Sequence, residues 1–314
     1  MSKKILTIFG ATGNQGGSVV SVILGSSTLS SKYQLRAITR DTTKPNAVAL
    51  KDKGVQLAKA DLNDAGSVAE AIKGSYGVFA VTNYWETMDK DVEYNQGKNI
   101  VDAAKAEGVK HLVWSGLPNV TKVSNGELTL VEHFDSKADV TEYGNKSKGD
   151  SLIFSTFMPG YFMSNLPGQI KKQEDGQIGL SLPWNAEKTW VPLQDIRADT
   201  GKFVAGLFEA GSSANGVAVQ GASEWIHPSA IVAKVAEVSG QDVKFIEQPL
   251  DVETTKSMPK IPGELAQNML FVRDYSYFGP GAEQKQAESD KFLPEELKKK
   301  ATWDEFAKAQ KWSF

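Results

Sequence analysis

The sequence predicts an α/β fold in which a doubly wound parallel sheet is joined to a smaller C-terminal lobe. Two observations support this fold class. In the first half of the chain, short apolar segments typical of strands alternate with segments of helical periodicity. The first apolar segment, residues 4–9, leads into three glycines, Gly10, Gly13 and Gly16. Such alternation places helices on both faces of a parallel sheet, whose ligands bind at the carboxyl ends of the strands.

The three glycines have the spacing of a dinucleotide cradle. Gly10 is expected in a tight turn, Gly13 leaves room for a pyrophosphate, and Gly16 allows close packing of helix on strand. Phosphates would then lie at the positive end of the first helix. An ordinary glycine-rich turn is the alternative, but the strand before the glycines and the helix after them favour the cradle. The residues predicted to contact the dinucleotide here are Gly10, Ala11, Thr12, Gly13, Asn14, Gln15 and Gly16.

The remaining elements follow in a regular order up to residue 158. Strands are predicted over 4–9, 34–39, 55–59, 76–81, 111–115 and 152–158, and helices over 13–24, 44–53, 64–73, 89–107 and 136–145. The segment 117–130 breaks the rhythm and is expected to form an irregular excursion over the site. We therefore assign residues 1–158 to a Rossmann-type nucleotide-binding domain.

Beyond residue 158 the pattern loosens. Proline and glycine interrupt it near 166–168, 182–184 and 260–263. These breaks predict a smaller α/β lobe over 159–314, on the substrate side of the molecule. Thr302 and Glu305 have the spacing of a capping box and predict the start of the last helix.

Composition excludes several classes of protein. The 314 residues carry a net charge of −3 with both signs interspersed, which argues against direct contact with nucleic acid. The chain has no cysteine, so disulfides, thiolate metal sites and a thiol redox switch are excluded, and no metal site is predicted. The sequence shows neither a signal-like segment nor an apolar stretch of membrane-spanning length. We expect a cytoplasmic protein, with the nucleus as a second location.

The end of the second strand indicates which nucleotide binds. An NAD site usually has Asp or Glu there, whereas the 2′-phosphate of NADP favours a cation, and this strand ends in Thr39-Arg40. Lys44 can add a second cation. One charge-assisted hydrogen bond contributes about 1.5–3 kcal/mol, so NADP(H) is the predicted cofactor. Asp41 could instead turn toward a ribose hydroxyl, and Arg40 could be a solvated surface residue.

Three motifs resemble those of the NmrA-like family of atypical short-chain dehydrogenases/reductases, in particular its NADPH-sensor branch. They are the Gly-x-x-Gly-x-x-Gly run, Thr82-Asn-Tyr-Trp-Glu86 and His133-Phe-Asp-Ser-Lys137, and the similarity extends from about residue 4 to residue 306. The resemblance implies adenine contacts from Asp61 and Leu62. It also implies ribose and pyrophosphate contacts from Thr82, Asn83 and Tyr84, nicotinamide contacts from Tyr161 and Phe162, and a return of about 189–220 to the main sheet.

The proton relay is incomplete. Active members of this superfamily combine a serine after the fifth strand with Tyr-x-x-x-Lys on the next helix, because a nearby lysine lowers the pKa of the tyrosine. Ser115 and Lys137 are present, but His133 takes the tyrosine's place. Lys137 is expected to contact the ribose. The chain's one Tyr-x-x-x-Lys, from Tyr94 to Lys98, precedes the serine strand and is interpreted as a coincidence.

Two functions remain open at this point. The favoured one is an NADP(H)-binding sensor or regulator that signals to a protein partner. The alternative is an NADPH-dependent reductase of a small apolar carbonyl, quinone or enone. In it, Lys137 with Ser115 or His133 would supply the proton. Its apolar substrate pocket would be formed by Trp85, Tyr161, Phe162 and Trp184.

Overall fold

The computed structural model describes residues 2–314, which contain a central sheet of seven parallel strands. Its order is β3-β2-β1-β4-β5-β6-β11. The strands of the chain are β1 (Lys4–Ile8), β2 (Tyr33–Thr39), β3 (Gln56–Lys59), β4 (Gly77–Ala80), β5 (His111–Ser115), β6 (Ile153–Pro159), β7 (Tyr161–Phe162), β8 (Ile170–Lys172), β9 (Ile178–Leu182), β10 (Val191–Gln194), β11 (Ala218–Gly221), β12 (Glu224–Ile226) and β13 (Val243–Glu247). The predicted fold class is confirmed.

Several α-helices cover the two faces of this sheet, and others belong to the C-terminal part of the chain. They are α1 (Asn14–Gly25), α2 (Ser27–Lys32), α3 (Pro45–Asp52), α4 (Ala65–Ile72), α5 (Lys90–Ala106), α6 (Val120–Val123), α7 (Glu132–Ser147), α8 (Leu166–Gln169), α9 (Ile196–Ala210), α10 (Pro228–Ser239), α11 (Val252–Lys256), α12 (Lys260–Tyr275), α13 (Gln286–Asp290) and α14 (Trp303–Ala309). One core lies between the sheet and the α1–α9 pair, and a second packs α4, α5 and α7 on the other face.

The strand order reverses between β1 and β4, which are parallel neighbours although they are the first and fourth strands in sequence. The loops after these two strands therefore leave a crevice at the carboxyl edge, the usual ligand position in such sheets. The glycine turn after β1 and the segment after β4 border this crevice.

A third core joins residues of the segment 117–134 to the C-terminal part of the chain, which also forms two small sheets, β12-β10-β7 and β13-β9-β8. In the stretch 189–220, helix α9 and strand β11 belong to the main layer, where β11 pairs parallel with β6. The strand at Val191–Gln194 does not, because it pairs with β7 and β12 in a small sheet. Division of the chain at residue 158 stays a prediction.

The break predicted at 260–263 is wrong. A 16-residue helix, α12, begins at Lys260 and includes Pro262 as its third residue. Proline is tolerated there because the first amides of a helix have no intrahelical acceptor. Other helices also differ from the prediction. Helix α7 begins at Glu132 instead of residue 136, α2 was not predicted, the segment 117–130 contains the short helix α6, and the predicted break at 166–168 lies in the short helix α8.

In the described chain, residues 2–314, no helix combines the length and the apolar character needed to cross a bilayer.

Candidate cofactor and substrate site

A groove of about 560 Å³ runs along the carboxyl edge of the sheet at the crevice between β1 and β4. Its lining brings together residues from five separate segments that the sequence had pointed to. These are Gly10, Thr12, Gly13, Asn14, Gln15, Gly16, Arg40, Lys44, Asp61, Leu62, Thr82, Asn83 and Phe162. Ala11 lies in the same turn, but its side chain is buried in the core on the α1–α9 side.

The glycine turn leaves no room for side chains. Gly10 has φ +63°, a left-handed conformation that favours glycine. A Cβ on Gly16 would lie 2.3 Å from the carbonyl oxygen of Gly10, so the helix could not approach the strand with any other residue there. Among residues 2–314, no side chain caps the start of α1, and its first turn has no acidic residue. The backbone amides in the first turn of α1 are therefore free to bind an anionic group, and the turn fits a dinucleotide pyrophosphate.

The far end of the groove carries the two predicted cations. Arg40 and Lys44 both line it, and Arg40 forms an ion pair with Glu86 from the loop after β4. Asp41 also lines the groove, and its Oδ1 accepts hydrogen bonds from the amide and the hydroxyl of Thr43 at 2.9 and 2.6 Å. These two bonds lower the pKa of the Asp41 carboxyl.

A second cavity, of about 300 Å³, adjoins the groove. Gln15, Thr82, Asn83 and Phe162 line both, so the two spaces meet at the ends of β1, β4 and β6. The remaining walls are mainly apolar and aromatic, with two basic side chains from α7 among them. They include Tyr84, Trp85, Leu117, Phe134, Tyr161, Leu265, Met269 and Tyr277, together with His133 and Lys137.

Lys137 is buried and is held by a polar network. Its ammonium forms an ion pair with Glu93 of α5 and donates a 3.0 Å hydrogen bond to Oγ1 of Thr82. The Glu93 carboxylate also accepts from the hydroxyls of Thr82, at 2.7 Å, and Ser136. Burial lowers the pKa of Lys137, and the attraction of Glu93 opposes that shift. The network fixes the lysine where the groove and the second cavity meet.

His133 is paired with Glu264 of α12. Oε1 of Glu264 lies 2.7 Å from Nδ1 of His133 and accepts its backbone amide at 2.8 Å. Burial raises the pKa of Glu264, but the bonds from His133 and Tyr84 outweigh it, and the net pKa is lowered. Glu264 is thus an ionised carboxylate, which can only accept hydrogen bonds. Ring nitrogen Nδ1 of His133 therefore carries the proton of this hydrogen bond. Nε2 is the ring nitrogen left for the cavity.

Tyr84 does not replace the missing tyrosine. Its hydroxyl lies 2.9 Å from Glu132 and 3.0 Å from Glu264, and donates to this carboxylate pair. Burial and the two carboxylates raise the pKa of Tyr84. Its proton is therefore held between two anions and not offered to the cavity.

The comparisons with known proteins identify the family. The model of the NmrA-like family matches residues 2–307. The NmrA-like family domain-containing oxidoreductase malD of Malbranchea aurantiaca is 32% identical over 256 residues, covering 78% of this chain and 75% of malD. The chain belongs to the NmrA-like family.

Solved structures agree with the fold of this NmrA-like chain. NmrA, a negative transcriptional regulator crystallised with NADP, has a TM-score of 0.79 at 19% identity, covering 98% of this chain and 95% of NmrA. The NADPH-dependent quinone oxidoreductase QOR2 of Escherichia coli, crystallised with NADPH, has a TM-score of 0.71 at 20% identity, covering 96% of this chain and 98% of QOR2. The cofactor expected from Arg40 and Lys44 is thus the one present in both crystals.

Some residues predicted for the site of this NmrA-like chain lie elsewhere. Ser115 is fully buried, lines neither space, and donates a 2.8 Å hydrogen bond to Oε1 of Gln15. Trp184 is wrong as a pocket residue, because it packs behind Tyr161 with its indole donating to the carbonyl of Met269. Tyr94 and Lys98, whose spacing was interpreted as a coincidence, line neither space, and Lys98 pairs with Asp102.

Three carboxylates of the NmrA-like site were missed by the sequence analysis. Glu93 had a detectable signal, because it occupies an apolar-face position of α5, four residues before the buried Gly97 and seven before Ile100. Glu264 had none, since its helix was predicted as a break. Glu86 lies in the quoted motif Thr82-Asn-Tyr-Trp-Glu86, but only the fold places it opposite Arg40.

Proposed function

We propose that this NmrA-like chain is an NADPH-dependent reductase of a small apolar carbonyl, quinone or enone. The observation that carries the proposal is the second cavity, which is mainly apolar, opens onto the nucleotide groove and contains His133. Names of relatives agree, because malD is called an oxidoreductase and QOR2 an NADPH-dependent quinone oxidoreductase. The missing tyrosine had favoured a regulator, but the Glu264–His133 pair offers another proton donor.

The chain's own residues hold the cofactor in this proposal. Amides of the glycine turn bind the pyrophosphate, Arg40 and Lys44 bind the 2′-phosphate, and Asp61 and Leu62 contact the adenine. Lys137 binds the nicotinamide ribose, with Thr82, Asn83, Tyr84, Tyr161 and Phe162 around it. NADPH, when bound, supplies the hydride.

Reduction of a carbonyl needs a proton at oxygen as well as a hydride at carbon. We assign the proton to Nε2 of His133 in its doubly protonated form. Nδ1–H stays bonded to Glu264, whose negative charge stabilises the imidazolium before the transfer. Afterwards the neutral ring regains its proton from solvent. Lys137 adds positive charge beside the developing oxyanion.

The experiment follows NADPH oxidation by the full chain with a panel of quinones, aldehydes and enones. We expect turnover with at least one acceptor, and a loss of about 10²- to 10⁴-fold in kcat for His133→Asn with KM for NADPH unchanged. His227→Asn is the matched control, because His227 packs on Trp190 away from both spaces. Bound NADPH without oxidation by any acceptor would contradict the reductase. Wild-type kcat for His133→Asn would move the proton donor to Lys137.

A second candidate function is an NADP(H) sensor that signals to a protein partner. One observation favours it, namely that the turn Tyr84–Glu86 borders both spaces, with Glu86 in the groove and Tyr84 and Trp85 in the second cavity. Trp85 and Met88 are each 42% exposed, and Met88 has the strained φ of +53°. A cofactor that moves this turn would change an apolar surface.

Hydrogen–deuterium exchange with and without NADPH tests the sensor. We expect altered exchange in residues 84–88, 117–130 and 161–163, and none in the Gly16→Ala variant, which cannot form the cradle. Unchanged exchange in these three segments at saturating NADPH would contradict the sensor and leave the reductase untouched.

A further inference from the structure

The ion pair between Arg40 and Glu86 spans the groove at the end where the adenosine ribose is expected. Arg40 directly follows β2, whereas Glu86 lies in the loop after β4, and both side chains line the groove. The two side chains are 68% and 47% exposed, so the pair is open to solvent and to a competing anion. Its partners are 46 residues apart in the chain, and only the fold brings them together.

The other two carboxylates of the groove are already engaged. Asp41 accepts from Thr43, and Oδ1 of Asp61 accepts from the amide and the side-chain nitrogen of Asn63 at 2.9 and 3.0 Å. Among the three carboxylates that line the groove, Glu86 forms the ion pair with the guanidinium of Arg40. A carboxylate on a guanidinium occupies the same donors that a phosphate would take.

We propose that Glu86 is a specificity-determining residue of the nucleotide site. The 2′-phosphate of NADPH must displace Glu86 from Arg40, and the freed carboxylate then lies beside a phosphate of like charge. A nucleotide with a 2′-hydroxyl leaves the pair intact, and Glu86 can accept a hydrogen bond from that hydroxyl, as an acidic residue does in NAD sites. Glu86 thus lowers the preference for NADPH that Arg40 and Lys44 create.

Displacement of Glu86 by a 2′-phosphate also bears on the second cavity. Glu86 ends the three-residue turn that begins at Tyr84, and this turn carries Trp85, whose ring lies 4.9 Å from that of His133. If the backbone of this turn moves with Glu86 when a 2′-phosphate binds, the neighbours of His133 move as well. NADPH and NADH would differ in their effect on Trp85, although the nucleotides differ only at the adenosine ribose.

The inference rests on the proposed binding of the 2′-phosphate by Arg40 and is independent of whether the chain reduces a substrate. Calorimetric titration of the full chain with NADPH and with NADH tests it. We expect Glu86→Gln to bind NADPH about threefold to tenfold more tightly, since an exposed pair contributes little, and to bind NADH equally or more weakly. Glu70→Gln is the matched control, because Glu70 pairs with Lys73 on the surface of α4 outside the groove.

Arg40→Met separates the inference from its premise. We expect it to weaken NADPH binding and to reduce the gain from a second Glu86→Gln change to less than about twofold, because no cation then holds Glu86 in the phosphate position. NADPH affinity unchanged by Arg40→Met would overturn the premise. Weaker NADPH binding in Arg40→Met, but no change in Glu86→Gln, would overturn the role of Glu86 alone. An equal gain for NADPH and NADH in Glu86→Gln would overturn it too.

Discussion

Glu264 accepts two hydrogen bonds from His133, one from the backbone amide at 2.8 Å and one from ring Nδ1 at 2.7 Å. The two residues are 131 positions apart, and the carboxylate is completely buried. Helix α12 of the C-terminal lobe therefore sets the tautomer and the orientation of a ring at the start of α7. The same arrangement, a carboxylate on one ring nitrogen and the other nitrogen left for a substrate, suits a proton donor.

The first prediction concerns Glu264 as a positioning residue. Glu264→Gln keeps the shape of the side chain but removes the charge that stabilises the imidazolium, so we expect kcat to fall about tenfold or more with little change in KM for NADPH. Glu264→Asp, which restores the charge, should recover part of the rate. Equal kcat for Glu264→Gln and the wild type, at equal stability, would reduce Glu264 to a structural group.

The second prediction concerns the buried pair of Lys137 and Glu93. Lys137→Met leaves the Glu93 charge buried without a cation, so we expect the free energy of unfolding to fall by about 3–5 kcal/mol. The double variant Lys137→Met with Glu93→Gln should regain most of that loss. Urea unfolding of both variants measures the two values. Wild-type stability of the single variant would show that Glu93 does not depend on Lys137.

The same variants test the role of Lys137 at the site. We expect turnover to be abolished in the double variant, where stability is restored, while NADPH affinity stays within about tenfold of the wild type. Retained turnover would exclude Lys137 from the reaction.

The third prediction concerns the glycine turn. In Gly16→Ala the new Cβ would lie 2.3 Å from the Gly10 oxygen and 2.6 Å from that of Phe9, so α1 must move away from the strand. We expect NADPH affinity to fall more than about tenfold. Gly25→Ala is the control on the same helix, because within the described chain nothing lies within 4 Å of its Cβ. Gly25→Ala should leave the affinity for NADPH unchanged and raise the free energy of unfolding by about 0.4–1 kcal/mol.

The fourth prediction concerns stability at acid pH. Burial lowers the pKa of His111 to about 4, from an ordinary value of 6.5. Between these values the unfolded state binds the proton and the folded state does not, so stability is full above about pH 7 and falls as the pH drops toward 4. From pH 7 to pH 5 we expect a loss of about 2 kcal/mol from this residue.

His111→Gln checks this loss, since glutamine can still bond Ser155, the partner of Nε2 at 2.8 Å, but does not titrate. Urea unfolding at pH 7 and pH 5 should show a smaller difference for the variant than for the wild type. If the variant and the wild type lost the same free energy of unfolding between pH 7 and pH 5, the acid sensitivity would come from residues other than His111.

Much of the groove lining could be predicted because its residues lie where local patterns end. Gly10 and Gly16 follow one strand, Arg40 follows the next and Asn83 follows a third. Parallel strands bring their carboxyl ends to one edge of the sheet. Long-range pairs could not be predicted in this way. Nothing local connects Glu264 with His133, and the helix that carries Glu264 has Pro262 and Gly263 in its first turn, a pair that by itself indicates a break.

The sequence by itself determined the fold class, the family resemblance and the groove, because hydrophobic periodicity and glycine spacing are local properties that act within one element or turn. Only the tertiary structure decided which carboxylate meets which cation or ring. The Arg40–Glu86, Lys137–Glu93 and His133–Glu264 pairs each join distant segments. Their partners are set by how helices pack on the sheet and on each other, which depends on the whole core and not on any single segment.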